Sequence, residues 1–479
     1  MCLKLLIKRK ASLNAKDSKR RTALIWAALK RDTECTQLLV DAKADLKKKD
    51  KVNRTALLWT AFKNITDCGR ILVTAAKDVD VDGKDDGGKT ALMWAVRNGN
   101  AELTQLLVHA NAKVNAVDKS MNSALSWAVR ENKTECTKIL LDAKADPNPV
   151  DNNENTPLIW AIGNGNIECA RVLVDAKADL DAENLYHRTA LIWAVHNGDA
   201  EAVQLLVDAK ANLNIKGYNN KTALIMAVGS GVTRCVNHLI NARADLEVQD
   251  REGKTALIWA AEKGNSECAH TLLAARADIN AQDGYGRTAL IWASLEGKTD
   301  CAQLLVDSNA DIEATDEELK TALIWAAENE KTECATLLIN SGANLNAQDR
   351  YQKTALIWSA CSGKAGCTKL LIDAKAELNV THREGKTAVI WAAEKYNAEC
   401  IKTLIDARAD VDVQDDYSRT ALIWAVSHGF YSNGTQLLVE AKANLDAQDK
   451  KGKTALLWAV GEGDIASTYL LVKANADVA

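Results

Sequence analysis

The hexad Thr-Ala-Leu-Ile-Trp-Ala, or a close variant of it, recurs fourteen times along the 479 residues, and a period that regular leaves few folds open. Hexads begin at Thr22, Thr55, Thr90, Ser123, Thr156, Thr189, Thr222, Thr255, Thr288, Thr321, Thr354, Thr387, Thr420 and Thr454. Eleven of the thirteen intervals are 33 residues; Thr55 to Thr90 is 35 and Thr420 to Thr454 is 34. Length alone would suggest three or four domains of about 100–200 residues. A fixed period of this size instead marks stacked supersecondary units. Each unit reads alike. In the one at Thr255, Asp250 to Gly253 signals a turn. Thr255 to Lys263 reads as a short helix stopped at Gly264. Ser266 to Ala274 reads as a second helix, with Glu267 well placed against the dipole of its first turn. Neither helix can bury its apolar stripe alone, so neighbouring units must stack. The expectation is an all-α solenoid, continuous over residues 1–479, with a partial first repeat at 1–16.

Period, hexad and turn together make the whole chain resemble an ankyrin-repeat array. Thr156-Pro157-Leu158 keeps that family's Thr-Pro-Leu, and elsewhere Ala replaces Pro. Asp stands five residues before the hexad in eleven of fourteen units, as at Asp17, Asp283 and Asp415. The resemblance implies helix-turn-helix units with hairpin-like loops, a curved superhelix and a concave face that usually takes the ligand. Two departures stand out. The family's His after Leu is mostly Ile (Ile25, Ile192, Ile258), which removes a polar side chain that ties the hexad to its loop. The family's Gly after the second helix survives as Gly342 but is usually basic, as at Lys43, Lys177, Arg243 and Arg408. A non-Gly residue in a left-handed conformation costs roughly 1–2 kcal/mol. Those caps are therefore strained or differently built.

All thirteen tryptophans occupy the fifth hexad position, and only Met226 breaks the column. Helical periodicity turns Trp259 away from Leu257, Ala260 and Ala261, towards the side of Glu262 and Lys263. In an ankyrin stack that side lines the concave surface. Each indole either packs sideways onto the next repeat or floors a groove that grips a partner, and a residue of that size can do both. The candidate contacts are Trp94, Trp127, Trp160, Trp193, Trp259, Trp292, Trp325 and Trp358, with Arg97, Arg130, Glu262 and Glu328 on a rim row that varies between repeats. The residue before the hexad is Lys or Arg in twelve units, available either to a polyanion or to the hairpin Asp residues.

Eleven of twelve cysteines share one column on the second helix, and Cys361 alone lies off it. Stacked helices about 8–10 Å apart keep such a column beyond the roughly 7 Å that a disulfide allows. The column reads as small buried apolar residues in a reducing compartment, with Cys361 the most reactive thiol. No metal or other cofactor is expected, and the seven histidines share no spacing with a nucleophile and a carboxylate. A net charge of −4 argues against a broadly basic nucleic-acid binder. No apolar run approaches the about 20 residues of a membrane helix. The chain therefore reads as a non-catalytic scaffold or adaptor for one or more proteins. The alternatives are a permanent subunit of a large cytoskeletal or ciliary assembly and a polyanion receptor. The expected location is the cytoplasm.

Three local features carry further expectations. The Thr222 unit combines Met226 with Gly229 and Gly231, a weak point predicted to open early over residues 217–241. Insertions at Ala75–Asp82 and Phe430–Gly434 predict bulging loops, with Phe430 and Tyr431 as interface anchors. Neither end carries a polar cap, so at least one of the two end patches, Leu3, Leu5 and Leu6 or Trp458, Leu470 and Val472, is expected to pack against another chain or a continuation of this one.

Overall fold

The computed structural model describes residues 2–75, 79–427 and 432–476. Among them are 29 α-helices, a lone Cys2–Lys8 followed by fourteen pairs, and β-structure is limited to the isolated bridges Val117–Ser123 and Thr315–Thr321. The fold is the all-α solenoid that the period predicts. It divides into two compact units, Met1–Ala227 with Asn237–Ala244, and Val228–Val236 with Asp245–Ala479. Within each unit, first helices pack on first helices and second helices on second helices.

Each first helix starts because the hexad Thr or Ser leaves the extended region there and turns its hydroxyl onto the backbone. Thr255 Oγ1 accepts from Ile258 N at 3.4 Å, and the same cap recurs in thirteen repeats; Thr387 is the exception. Ala256–Lys263 then ends on Gly264 at φ 76°. Leu257, Ile258, Ala260 and Ala261 bury against neighbouring helices, together with Cys268 and Leu272 of the second helix Ser266–Ala274. The Ile that replaces the expected His is thus a core residue, as at Ile25, Ile192 and Ile258.

The basic caps are left-handed. Lys43, Lys177, Arg243 and Arg408 sit at φ 60–64°, where Gly342 stands at 88° in its own repeat. The strained alternative therefore holds. Lys177→Gly is expected to raise stability by about 1 kcal/mol, because glycine adopts that conformation without a Cβ clash. A urea midpoint that fell on this substitution would contradict the account.

The boundary between the two units runs through the Thr222 repeat. This repeat lacks the turn Asp as well as the Trp, having Gly217 and Met226. A Cβ on Gly217 would lie 2.8 Å from both His187 O and Ile192 Cδ1, so the turn has no room for the usual carboxylate side chain. Amides of residues 217–241 are expected to exchange faster than their equivalents at 250–274. Equal protection in the two stretches would count against a weak repeat.

Candidate functional site

The turn before each first helix is closed by one carboxylate. Asp118 Oδ1 accepts from Ser120 N at 2.9 Å and from Asn122 N at 3.0 Å. Its Oδ2 accepts from the indole Nε1 of Trp127, nine residues on, at 3.0 Å. Both oxygens are thereby used, one to shape the hairpin and one to fasten it to the helix. Eleven repeats repeat the indole bond at 2.8–3.0 Å: Trp26, Trp59, Trp94, Trp127, Trp160, Trp259, Trp292, Trp325, Trp358, Trp424 and Trp458. These are the eleven repeats that carry the turn Asp. The bond ties hairpin to helix.

The residue before the hexad slots between successive indoles. Arg287 lies 5.1 Å from the Trp292 ring and 4.9 Å from that of Trp325; Lys320 lies 4.2 Å from Trp325 and 4.0 Å from Trp358. Arg21, Arg54, Lys89, Lys254, Lys353, Lys386 and Arg419 stand between two indoles in the same way, with contacts that desolvation strengthens. The cations also meet carboxylates, but mainly not those of their own turns. Arg54 pairs with Asp85 at 3.4 Å and Lys89 with Asp118 at 3.5 Å, in each case the Asp of the next repeat. Lys254 pairs with Glu262 at 2.6 Å and Lys320 with Glu328 at 2.8 Å, on the rim of the same repeat. Burial alone would push Lys254 down, but Glu262 and Glu252 reverse the sign and hold it above the ordinary lysine range. The same Lys254, with Lys263, outweighs burial at Glu262 and holds that carboxyl below its ordinary value.

The rim row is therefore not an unconstrained variable surface. Glu262 and Glu328 answer lysines, while Arg130 donates to Asn122 Oδ1 at 3.1 Å, where Asn replaces the usual cation. Arg97 pairs with Glu131 at 3.2 Å and lies 4.8 Å from the Trp127 ring. All four charged candidates are engaged within the chain. The indoles of Trp94, Trp127, Trp160, Trp193, Trp259, Trp292, Trp325 and Trp358 are half-buried: faces pack sideways on cations while part of each ring remains accessible. The sideways packing of the column is thus observed, and an accessible edge is left beside it.

Besides the Thr222 repeat, which has neither Asp nor Trp, two rungs keep the Trp but lack the Asp. Asn184 accepts from Tyr186 N and Arg188 N, and its amide donates to Asn155 at 2.8 Å, a neutral pair in place of the ionic one. At the other, His382 Nδ1 takes over the turn by accepting from Lys386 N at 3.2 Å. Trp193 Nε1 and Trp391 Nε1 are correspondingly buried without an acceptor.

Outside the ladder, a row at the hairpin tips escaped the sequence reading. Tyr186, Tyr218, Tyr285, Tyr351 and Tyr417 are 46–72% exposed. Four of them stand three residues before a hexad, a spacing that was there to be read. Arg287 and Arg419 each touch a tip Tyr and a Trp ring, so tips and ladder adjoin.

At the ends, Leu5, Leu6 and Val472 are 50–56% exposed within this chain, and Leu3, Trp458 and Leu470 are partly exposed. Phe430 and Tyr431 lie outside the described residues, as do residues 76–78 of the first insertion. The eleven cysteines from Cys35 to Cys400 are free. Burial pushes Cys301 and Cys367 up to about 11. Cys361, off the column, is partly buried, and so is Cys35 within it. Burial raises Cys361, and a hydrogen bond that its thiol donates to Asp32 raises Cys35, so neither is an activated thiolate. Alkylation is expected at Cys361 and Cys35 first, slowly at pH 7 and faster as the pH rises. Equally early modification of Cys301 or Cys367 would refute this order. Among the described residues no helix is long and apolar enough to cross a membrane, and no cluster of three metal-ligating side chains occurs.

The chain matches the family description "Ankyrin repeats (3 copies)" in overlapping segments from residues 43–118 to 389–479, and "Ankyrin repeat" at residues 19–51. None of the curated proteins matches it. Among solved structures, it is similar to the ankyrin repeat domain of Bcl-3, titled a unique member of the IkappaB protein family. That similarity is 29% identity over 42% of this chain and 92% of that one, at a TM-score of 0.41. With family matches running unbroken from residue 19 to 479, and a helix pair in each period, the chain belongs to the ankyrin-repeat family.

Proposed function

We propose that the chain is a non-catalytic protein-binding scaffold whose partner lies across the hairpin tips and the accessible edges of the tryptophan ladder. Ankyrin repeats are in general modules that bind other proteins. The observation that carries the finer reading is the row of exposed tip tyrosines adjoining half-exposed indoles. Tyr and Trp supply large contact area at low conformational cost and are enriched where binding energy concentrates. The engagement of the basic row by carboxylates and rings favours a protein over a polyanion, because those cations are not free to collect phosphates. The uncovered apolar residues Leu5, Leu6, Val472 and their neighbours are secondary docking points in this reading.

A photo-crosslinking residue at Tyr285 or Tyr351, in the protein in its native extract, is expected to capture a discrete partner. The same residue at exposed His270, on a second helix, is expected not to. Equal capture from both faces, or none from the tips, would overturn the assignment.

A further inference from the structure

Lys353 is the clamped cation that has lost its counter-charges. It is 9% exposed, with its ammonium 4.3 Å from the Trp358 ring and 3.8 Å from that of Trp391. Its counterparts Lys254, Lys320 and Lys386 are 3–4% exposed, and each meets two carboxylates. One comes from two residues before the lysine (Glu252, Glu318, Glu384) and one from eight after (Glu262, Glu328, Glu394). Around Lys353 those positions hold Tyr351 and Cys361. The third source, the Asp of the next repeat, is His382. Three independent changes thus remove the three carboxylates that meet such a cation elsewhere. Among the described residues none pairs with it. Asp349 is near, but its Oδ1 accepts from Tyr351 N and Lys353 N and its Oδ2 from Trp358 Nε1. Burial holds Lys353 below the ordinary lysine range, the reverse of Lys254.

The neighbouring groups are also short of an acceptor. Trp391 Nε1 is buried without one. Glu394 and Glu384 are taken by Lys386, and Glu328 by Lys320, while Lys395 adds positive charge at the same edge. A buried ammonium left without a partner is expensive and is normally matched. The matching position is reachable from outside. In sister repeats the carboxylates of Glu262, Glu328 and Glu394 are 14–21% exposed, at the surface edge of the ladder, and Cys361 is too short to fill that space.

We propose that Lys353, between Trp358 and Trp391, is a carboxylate-binding site that accepts an aspartate or glutamate side chain of a bound protein. This rests on the protein-binding reading above. The partner completes in trans the ion pair that three sister repeats complete in cis, and the shortened Cys361 leaves the opening for it.

The test is binding of a fluorescein-labelled octaglutamate peptide to the full chain by anisotropy. Wild type and Cys361→Ala are expected to bind alike. Cys361→Glu, which fills the site in cis, is expected to weaken binding about tenfold or more, as is Lys353→Gln. If Lys353→Gln fails to fold, Cys361→Glu decides alone. No binding by wild type, or unchanged binding by Cys361→Glu, overturns the site. Displacement by sodium acetate or phosphate at the peptide's own carboxylate concentration overturns its assignment to a protein side chain. A partner captured from Tyr285 that binds Cys361→Glu undiminished would remove this site alone; no capture from Tyr285 would remove the wider reading.

Discussion

Asp118→Ala is expected to lower the stability of its repeat by about 3 kcal/mol at neutral pH, the cost of orphaning partly buried polar groups. The carboxylate is 5% exposed and serves four partners: two turn amides, the Trp127 indole and Lys89. Removing it frees the hairpin and leaves an indole N–H and an ammonium without their acceptor. The loss carries a pH signature. Burial works against ionisation of Asp118, but the Asn122 amide, the Trp127 indole, the Ser120 amide and Lys89 outweigh it and hold the carboxyl below 3.8. A depressed folded value means that the unfolded chain binds the extra proton. The stabilisation is therefore complete above 3.8 and is lost as the pH falls through the lower folded value. The difference between wild type and variant should be full at pH 7 and narrow progressively below 3.8. Because each repeat contacts only its neighbours, exchange of the Ser120 and Asn122 amides reports the effect more directly than a global melt. A difference that stayed constant down to the acid limit would show that the carboxylate does not act as a charge.

The fold was readable because one period repeats the same three statements: Thr to start a helix, an apolar face of Leu and Ala to bury, a turn before the next unit. Each is local or nearest-neighbour chemistry. The indole column was equally visible, but its partner was not. Asp118 and Trp127 lie nine residues apart, a separation that matches neither helical nor strand periodicity, so the bond between them emerges only when the hairpin folds back on the helix. Yet the signal was present as a correlation. Where Asp gives way to Gly217, Trp gives way to Met226, and the two other Asp-less turns are the two whose indoles go unsatisfied. The rim row misled for a related reason. Its variation reads as freedom until Lys254 is set beside Glu262, and Asn122 beside Arg130, eight residues apart in each case. The left-handed basic caps went the other way. Lys177 keeps its conformation against local preference because the following Ala178 N–H is held by Leu173 O at 3.0 Å and the residue after the cap is buried.

Trp127→Ala is expected to cost about 3–4 kcal/mol, towards the lower end of the range for a large aromatic because the ring is only half-buried. The ring is the meeting point of Lys89 at 4.8 Å, Arg97 at 4.8 Å and Arg130 at 5.3 Å, with Asp118 on its nitrogen. Truncation leaves three cations without their shared face and Asp118 with a free oxygen. Trp127→Phe separates the two contributions. It keeps an aromatic face for the cations but has no N–H for Asp118, so a loss of about 1–2 kcal/mol is expected. The double variant with Asp118→Ala measures the bond itself. If indole and carboxylate act as one fastening, the two losses fall short of additivity by about 1 kcal/mol or more. Strict additivity would mean that the turn and the ring stabilise the repeat separately. The conserved nine-residue spacing between them would then need another cause, such as the requirements of the partner that the ladder's open edge is proposed to meet.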